Sequence, residues 1–263
     1  GQIEYQGEWK QGRPDGHGTA YDRETGRKVH EGHFTKGQPD GRGTRYFDNG
    51  QIDYQGDWKQ GEKDGHGTRY FDNGQIEYQG DWKRGQPDGN GTMYDRETGR
   101  KVHEGHFTKG LPDGRGTQYF DNGLFEYSGE WKQAEPDGHG TRYFVNGQIE
   151  YSGEWRQGLA HGRGTQYFDN GLFEYSGDWR QGKKDGHGKL YDRETGRKVH
   201  EGHFAKGQPD GRGTQYFNNG QIEYSGEWRQ GKPDGHGTRY FANGQIGYSG
   251  EWRQGKPDGH GTR

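Results

Sequence analysis

One spacing constrains this chain more than any other feature. A glycine preceded two residues earlier by Tyr or His, and followed two later by Trp or Phe, recurs at Gly7, Gly32, Gly56, Gly80, Gly105, Gly129, Gly153, Gly177, Gly202, Gly226 and Gly250. Every step is 24 or 25 residues. Eleven copies of one unit therefore fill the chain, and a fixed period of this length is the mark of a repeat architecture. The units begin near residues 1, 26, 50, 74, 99, 123, 147, 171, 196, 220 and 244, so the expected organisation is a single array over 1–263 with no linker.

Within a unit the pattern is that of strands. Ile52, Tyr54, Gly56 and Trp58 alternate with Asp53, Gln55, Asp57 and Lys59, the period of two expected of a strand with one polar face. A Gly- and Asp-rich turn follows, then a second short strand around Gly67–Phe71, and Asn73-Gly74 leads into the next unit. Asn-Gly between strand patterns predicts a type I′ hairpin turn. Each unit therefore reads as a β-hairpin, with no competing helical pattern.

Three units depart together. In Tyr21–Gly32, Tyr94–Gly105 and Tyr191–Gly202 the Asn-Gly turn becomes Glu-Thr-Gly with one residue added. That change predicts a three-residue loop with its glycine in the left-handed region. The same units carry His30, His103 and His200 in place of Tyr, and Phe34, Phe107 and Phe204 in place of Trp.

Composition narrows what such hairpins can bury. Of 263 residues, 55 are Gly and only 27 are Leu, Ile, Val or Phe, about a tenth of the chain. That is too little aliphatic material for a layered α/β or helical core. With 38 aromatic residues and a net charge of −3, disorder fits poorly as well. Any interior has to be aromatic rings stacked on glycine. The 37 basic and 40 acidic residues are interspersed, which removes the basic footprint of a nucleic-acid binder. Without Cys, disulfides and thiolate metal sites are excluded. No apolar run approaches the ~20 residues of a membrane-spanning helix and no signal peptide is visible, so a cytoplasmic location, or one peripheral to a membrane, is expected.

Tyr54-x-Gly56-x-Trp58-x-x-Gly61 followed by Gly65-x-Gly67, repeated in phase along essentially the whole chain, resembles the MORN repeat. The resemblance implies an all-β repeat protein, an elongated, twisted array of hairpins forming a single-sheet trough. It also implies a non-catalytic role in binding proteins or membranes. The chain departs from the family pattern in having Asp before the second glycine (Asp15, Asp40, Asp64) in every copy but one, His161, and in Ala134, which replaces a turn glycine. The near-identity of Glu227–Arg239 and Glu251–Arg263 is that of a recent duplication or a consensus-like designed array. Tyr70–Gly74 is similar to the turn of choline-binding cell-wall repeats, a lesser alternative. The chain begins at a turn glycine and stops inside a second strand, and its uncapped strand edges are expected to favour self-association.

The candidate partner site is the aromatic row: Tyr5, Trp9, Tyr54, Trp58, Tyr78, Trp82, Tyr127, Trp131, Tyr151, Trp155, Tyr175, Trp179, Tyr224, Trp228, Tyr248 and Trp252. A single sheet cannot cover its own apolar face unless it curls, and ring surface left open would be an interaction patch. The competing expectation is that the rings pack on neighbouring backbone, where glycine makes room. The expected partner is a protein, a peptide or another copy of the chain. Anionic phospholipid is the alternative, although its usual clusters of 4–8 basic residues are missing. No cofactor or metal is expected: the turn-flanking His17, His66, His139, His187, His236 and His260 have no carboxylate recurring at metal-ligand spacing, and His30 and His33 fall on opposite faces of a strand. The thirteen His predict association sensitive to pH between about 5 and 7. No nucleophile elbow, phosphate loop or metalloprotease motif is present, so no enzymatic activity is expected.

Overall fold

The computed structural model describes residues 4–262, with the His260 side chain outside the described part. The chain forms 22 strands, from Tyr5–Lys10 to Lys256–Thr262, and no helix among the described residues. It falls into two compact units, Gly1–Glu135 and Pro136–Arg263. In each, every strand pairs antiparallel with the next in sequence, as Gln38–Tyr46, Ile52–Lys59, Glu62–Tyr70 and Ile76–Lys83 do in the first and Leu159–Tyr167, Phe173–Arg180 and Lys183–Tyr191 do in the second. Neither sheet closes on itself. The all-β row of hairpins expected from the 24-residue period is what the chain builds.

The two turn types sit the other way round from the sequence expectation. Within a hairpin, Gln60 (φ 51°) and Gly61 (φ 83°) are both left-handed, the type I′ geometry that matches strand twist. The same pair of positive φ recurs at Gln11-Gly12, Lys36-Gly37, Arg84-Gly85 and the later equivalents. Asn73-Gly74 instead belongs to a three-residue loop. The Phe71 N–H donates to the Gln75 carbonyl and the Gly74 N–H to that of Phe71. Only Gly74 is left-handed there, at φ 84°, as in a type I turn closed by a glycine bulge. The loops of the variant units are longer than expected. The Asp22 N–H donates to the Arg27 carbonyl and the Gly26 N–H to that of Asp22, which leaves four residues between the closing pair. Their glycine is left-handed as expected, at φ 70° for Gly26. The Asp22 carboxylate organises the loop by accepting from the N–H of Thr25 at 2.8 Å and from its hydroxyl at 2.7 Å.

Register decides where the interior lies. Gly43, Gly56, Gly67, Gly80 and Gly91 face one another across successive strands, so a row of glycines crosses the sheet. A Cβ on Gly56 would lie 2.5 Å from the Gly67 Cα, and one on Gly67 would collide with the hydroxyl and ring of Tyr54. The closeness is therefore both backbone on backbone and ring on backbone. No other residue satisfies both.

Successive hairpins are also stitched along both margins. The turn N–H of Gly61 donates to the Pro39 carbonyl of the preceding repeat at 2.8 Å, and the Gln60 N–H to the Asp40 carboxylate at 3.2 Å. The same carboxylate contact recurs from Lys36 to Asp15, Arg84 to Asp64 and Gln157 to Asp137. It gives the aspartate its task, and His161 breaks the series. At the other margin the Asn49 side chain donates to the Asp72 carbonyl of the next repeat, and Asn73 to that of Arg96. The variant loops have no such Asn. There the guanidinium of Arg27, Arg100 or Arg197 makes the equivalent link to Asp48, Asp121 or Asn218. The extra residue and the Arg are thus one coordinated replacement.

Ala134 occupies the second turn position at φ 66°, where the sister repeats have glycine, a conformation that costs an L-residue about 1–2 kcal/mol. Ala134→Gly is expected to raise stability by about 1 kcal/mol, read as a higher urea midpoint. Gly67→Ala is expected to destabilise by about 2–3 kcal/mol through overpacking. Gly61→Ala, where a Cβ meets nothing within 4 Å, should cost only about 1 kcal/mol of left-handed strain.

Candidate functional site

Tyr54, Gly56 and Trp58 share a sheet face because alternate residues point the same way. That face also carries Gly65, Gly67, Lys63 and Arg69, which lie directly opposite rings or glycines in the ladder. The Tyr54 ring lies over Gly67, and its hydroxyl donates to the Asp57 carbonyl at 3.1 Å. The Trp82 indole N–H of the next repeat donates to the Gly67 carbonyl at 3.1 Å. In the Tyr-Trp repeats the second glycine of Gly-x-Gly thus carries the tyrosine and accepts a bond from the following tryptophan, as again at Gly140 with Trp155 and Gly237 with Trp252.

The rings form a continuous edge-to-face column in each unit. In the first, centroid separations are 5.0 Å for His30–Trp58, 5.1 Å for Tyr54–Trp58, 5.3 Å for Tyr54–Trp82 and 5.1 Å for Tyr78–Trp82. The column goes on through Phe107 and His103 to Trp131 and Tyr127. In the second it joins Trp155, Tyr151, Trp179, Tyr175, Phe204, His200, Trp228, Tyr224, Trp252 and Tyr248. Interplanar angles near 90° are those favoured by the ring quadrupoles.

This arrangement places the sequence-predicted site residues in the interior rather than along an open groove. Tyr54, Tyr78, Tyr127, Tyr151, Tyr175, Tyr224 and Tyr248 are buried, as are Trp58, Trp82, Trp131, Trp155, Trp179, Trp228 and Trp252. Tyr5 is half-buried, and Trp9 stands out at 57% exposure. Neighbouring rings, the glycine row and flanking Pro, Arg and Lys side chains cover them. Lys63 lies 5.0 Å from the Tyr54 centroid and 4.7 Å from that of Trp82. Burial, aided by Arg45 and Arg69, pulls the Lys63 ammonium down to about 8 against the attraction of Asp53. Burial likewise raises the Tyr224 hydroxyl to about 12 and holds Tyr54 well above the ordinary tyrosine range.

The variant positions belong to the same column. Phe34, Phe107 and Phe204 replace the indole without an N–H to donate, and all three are buried. His30, His103 and His200 replace the tyrosine and lie over Gly43, Gly116 and Gly213. Their Nε2 atoms are buried without a hydrogen-bond partner, where tyrosine would reach a carbonyl. Desolvation lowers all three imidazoles to about 4, with Arg45 adding to the effect at His30. His33 faces the other way, with its ring 5.4 Å from His17 on the adjacent strand. Among the described residues no group of three or more His, Asp or Glu is placed to hold a metal ion.

The groove lies on the face opposite the rings. Beside the glycine row, the intervening residues point to this side and form two banks. In the first unit Thr44, Gln55, Thr68 and Gln79 make one bank, while Glu31, Arg42, Asp57 and His66 contribute charge. In the second unit one stretch of 420 Å³ runs from Arg163 to Glu201 and another of 490 Å³ from His187 to His236, and the two share His187 and Glu201. Thr165–Ser176 and Thr214–Ser225 hydroxyl pairs, at 3.1 and 3.4 Å, form one bank, interrupted between them by the Lys189–Glu201 ion pair at 3.7 Å. Sequence reasoning concentrated on the ring face and passed over this one. The signal was present as the same period read at Thr, Gln and Ser.

A family model matches the chain in eleven segments, residues 5–23, 30–52, 54–76, 78–97, 103–125, 127–149, 151–173, 175–194, 200–222, 224–246 and 248–263, and its description is the MORN repeat. No curated protein matches the chain.

The buried imidazoles give the fold an acid limit. A folded value near 4, below the ordinary 6.5, means that the unfolded chain takes up the proton first. Stability is complete above about pH 6.5 and falls as the pH drops towards 4, by up to about 3 kcal/mol per histidine. Urea denaturation between pH 7 and 4.5 should show this loss, and His103→Tyr should reduce it.

Proposed function

The chain belongs to the MORN-repeat family, a generally non-enzymatic repeat module, and from that premise we propose that it is a non-enzymatic scaffold holding an extended polypeptide along its polar, glycine-floored groove. The recurrence of the groove in successive repeats carries this reading: the same glycine floor returns every 24 or 25 residues, with a bank of Thr, Gln or Ser beside it that Glu31, Lys189 and Glu201 interrupt.

Physical spacing supports a peptide. A repeat contributes two strands, or about 9.6 Å across the sheet, which is about three residues of extended chain at ~3.3 Å each. Rows of Thr, Ser and Gln offer both donors and acceptors to a peptide backbone. Arg163 beside Asp178 and Arg212 beside Glu227 line one bank, and Lys189 pairs with Glu201 within the Thr/Ser bank, which suits a partner of mixed sign. The anionic-lipid alternative would require clustered basic residues, and the groove supplies none. The buried rings serve the partner indirectly by keeping the floor rigid.

A displayed library of ten-residue peptides, selected against the folded chain, tests the reading. Selected peptides are expected to lose at least tenfold in affinity on Thr165→Trp/Thr214→Trp, which fills the groove, with circular dichroism unchanged. Peptides indifferent to that pair would remove the groove as the site. Sedimentation with anionic vesicles, and no peptide enriched, would favour the membrane alternative.

A further inference from the structure

The position facing the Trp or Phe in the first strand of each repeat is Pro in eight repeats, Lys63 and Lys184 in two, and Ala160 in one. The two lysines show what this corner of the ring column accepts. Lys63 Nζ sits over Tyr54 and Trp82. Lys184 Nζ lies 5.2 Å from the Tyr175 centroid and donates to Glu174 Oε1 at 2.9 Å. Lys184 is thus held by a ring face together with the carboxylate that precedes the tyrosine, Glu174, and Lys63 by two ring faces with the equivalent Asp53 carboxylate attracting it from nearby.

At Ala160 the side chain is cut back to a methyl group and the corner is open. A cavity of 230 Å³ remains, lined by Tyr151, Trp155, Trp179, Glu150, Arg142 and Gln166. Tyr151 and Trp179 correspond to the rings beneath Lys63, and Glu150 to its carboxylate. Arg142 is 3.4 Å from Glu150, yet this does not close the site. At Lys63 the equivalent Arg45 pairs with Asp53 and the ammonium is still seated.

We infer that the cavity beside Ala160 is a binding site for a primary alkylammonium group, supplied by a lysine side chain of a partner or by a free amine. It lies on the ring face, opposite the groove, and does not depend on the peptide reading. The rings provide cation–π attraction and Glu150 an acceptor. A primary ammonium suits the site because the seated Lys184 uses an N–H to reach its carboxylate.

The test is a titration of the full chain with n-butylammonium, followed through the indole N–H signals in nuclear magnetic resonance. Saturable shifts are expected at Trp155 and Trp179, with the remaining indoles still. n-Butanol should give none, and Glu150→Gln should weaken binding several-fold. Ala160→Lys supplies the ammonium from within, and Ala160→Pro restores the residue of eight sister repeats; each should weaken binding more than tenfold while the fold persists. Equal response to butanol, or shifts undiminished in both Ala160 variants, would overturn the inference. N-acetyl-lysine-methylamide binding at least as tightly as butylammonium points to a partner's lysine; markedly weaker binding points to a free amine.

Discussion

The structure depends on a ring lying directly on a backbone. Tyr54 over Gly67, with Gly56 and Gly67 facing each other at a distance no Cβ allows, brings phenol and peptide into contact without an intervening side chain. A single sheet has no second layer to bury its apolar face against. Here the rings serve as their own second layer, packed edge to face and lidded by long polar side chains. Only a row of glycines lets them lie low enough for this to exclude water. The few aliphatic residues follow from that geometry, since a one-ring interior has little place for them.

Everything else couples one repeat to the next. The indole N–H reaches the preceding glycine carbonyl, the turn N–H groups reach the preceding Pro carbonyl and Asp carboxylate, and Asn reaches the following loop. Each link spans one repeat and none skips a neighbour, so stability is close to a sum of nearest-neighbour terms. The variant repeats show how far such a unit can be altered. Asn is exchanged for Arg with a longer loop, and Tyr-Trp for His-Phe, and the column still runs through. The exchange leaves a buried imidazole without a partner, a cost that the tyrosine repeats do not carry.

Much of this was legible from the residues. The period located every strand, and the scarcity of aliphatic residues required rings on glycine. Turn chemistry was harder, because Asn-Gly serves both a type I′ turn and a three-residue bulged loop. What selects between them is the register of the flanking strands: it shifts between Arg69 and Tyr70, which pair with Tyr78 and Ile76. Gln60-Gly61 concealed a left-handed Gln that local propensity would not place there. The groove was missed because alternation marks two faces without saying which is covered. Once rings cover rings, the face left exposed is the polar one. The open corner at Ala160 became visible only when equivalent positions could be superimposed on Lys63 and Lys184.

The indole-to-glycine bond gives the array a direction. Every Trp from Trp58 to Trp252 donates backwards, to a carbonyl already present in the preceding repeat. A chain emerging from the ribosome therefore presents the acceptor first and the donor about fifteen residues later, in keeping with the sequence separation of Gly67 and Trp82. Each new hairpin arrives on a finished template, so synthesis from the amino end and assembly of the column proceed in the same order.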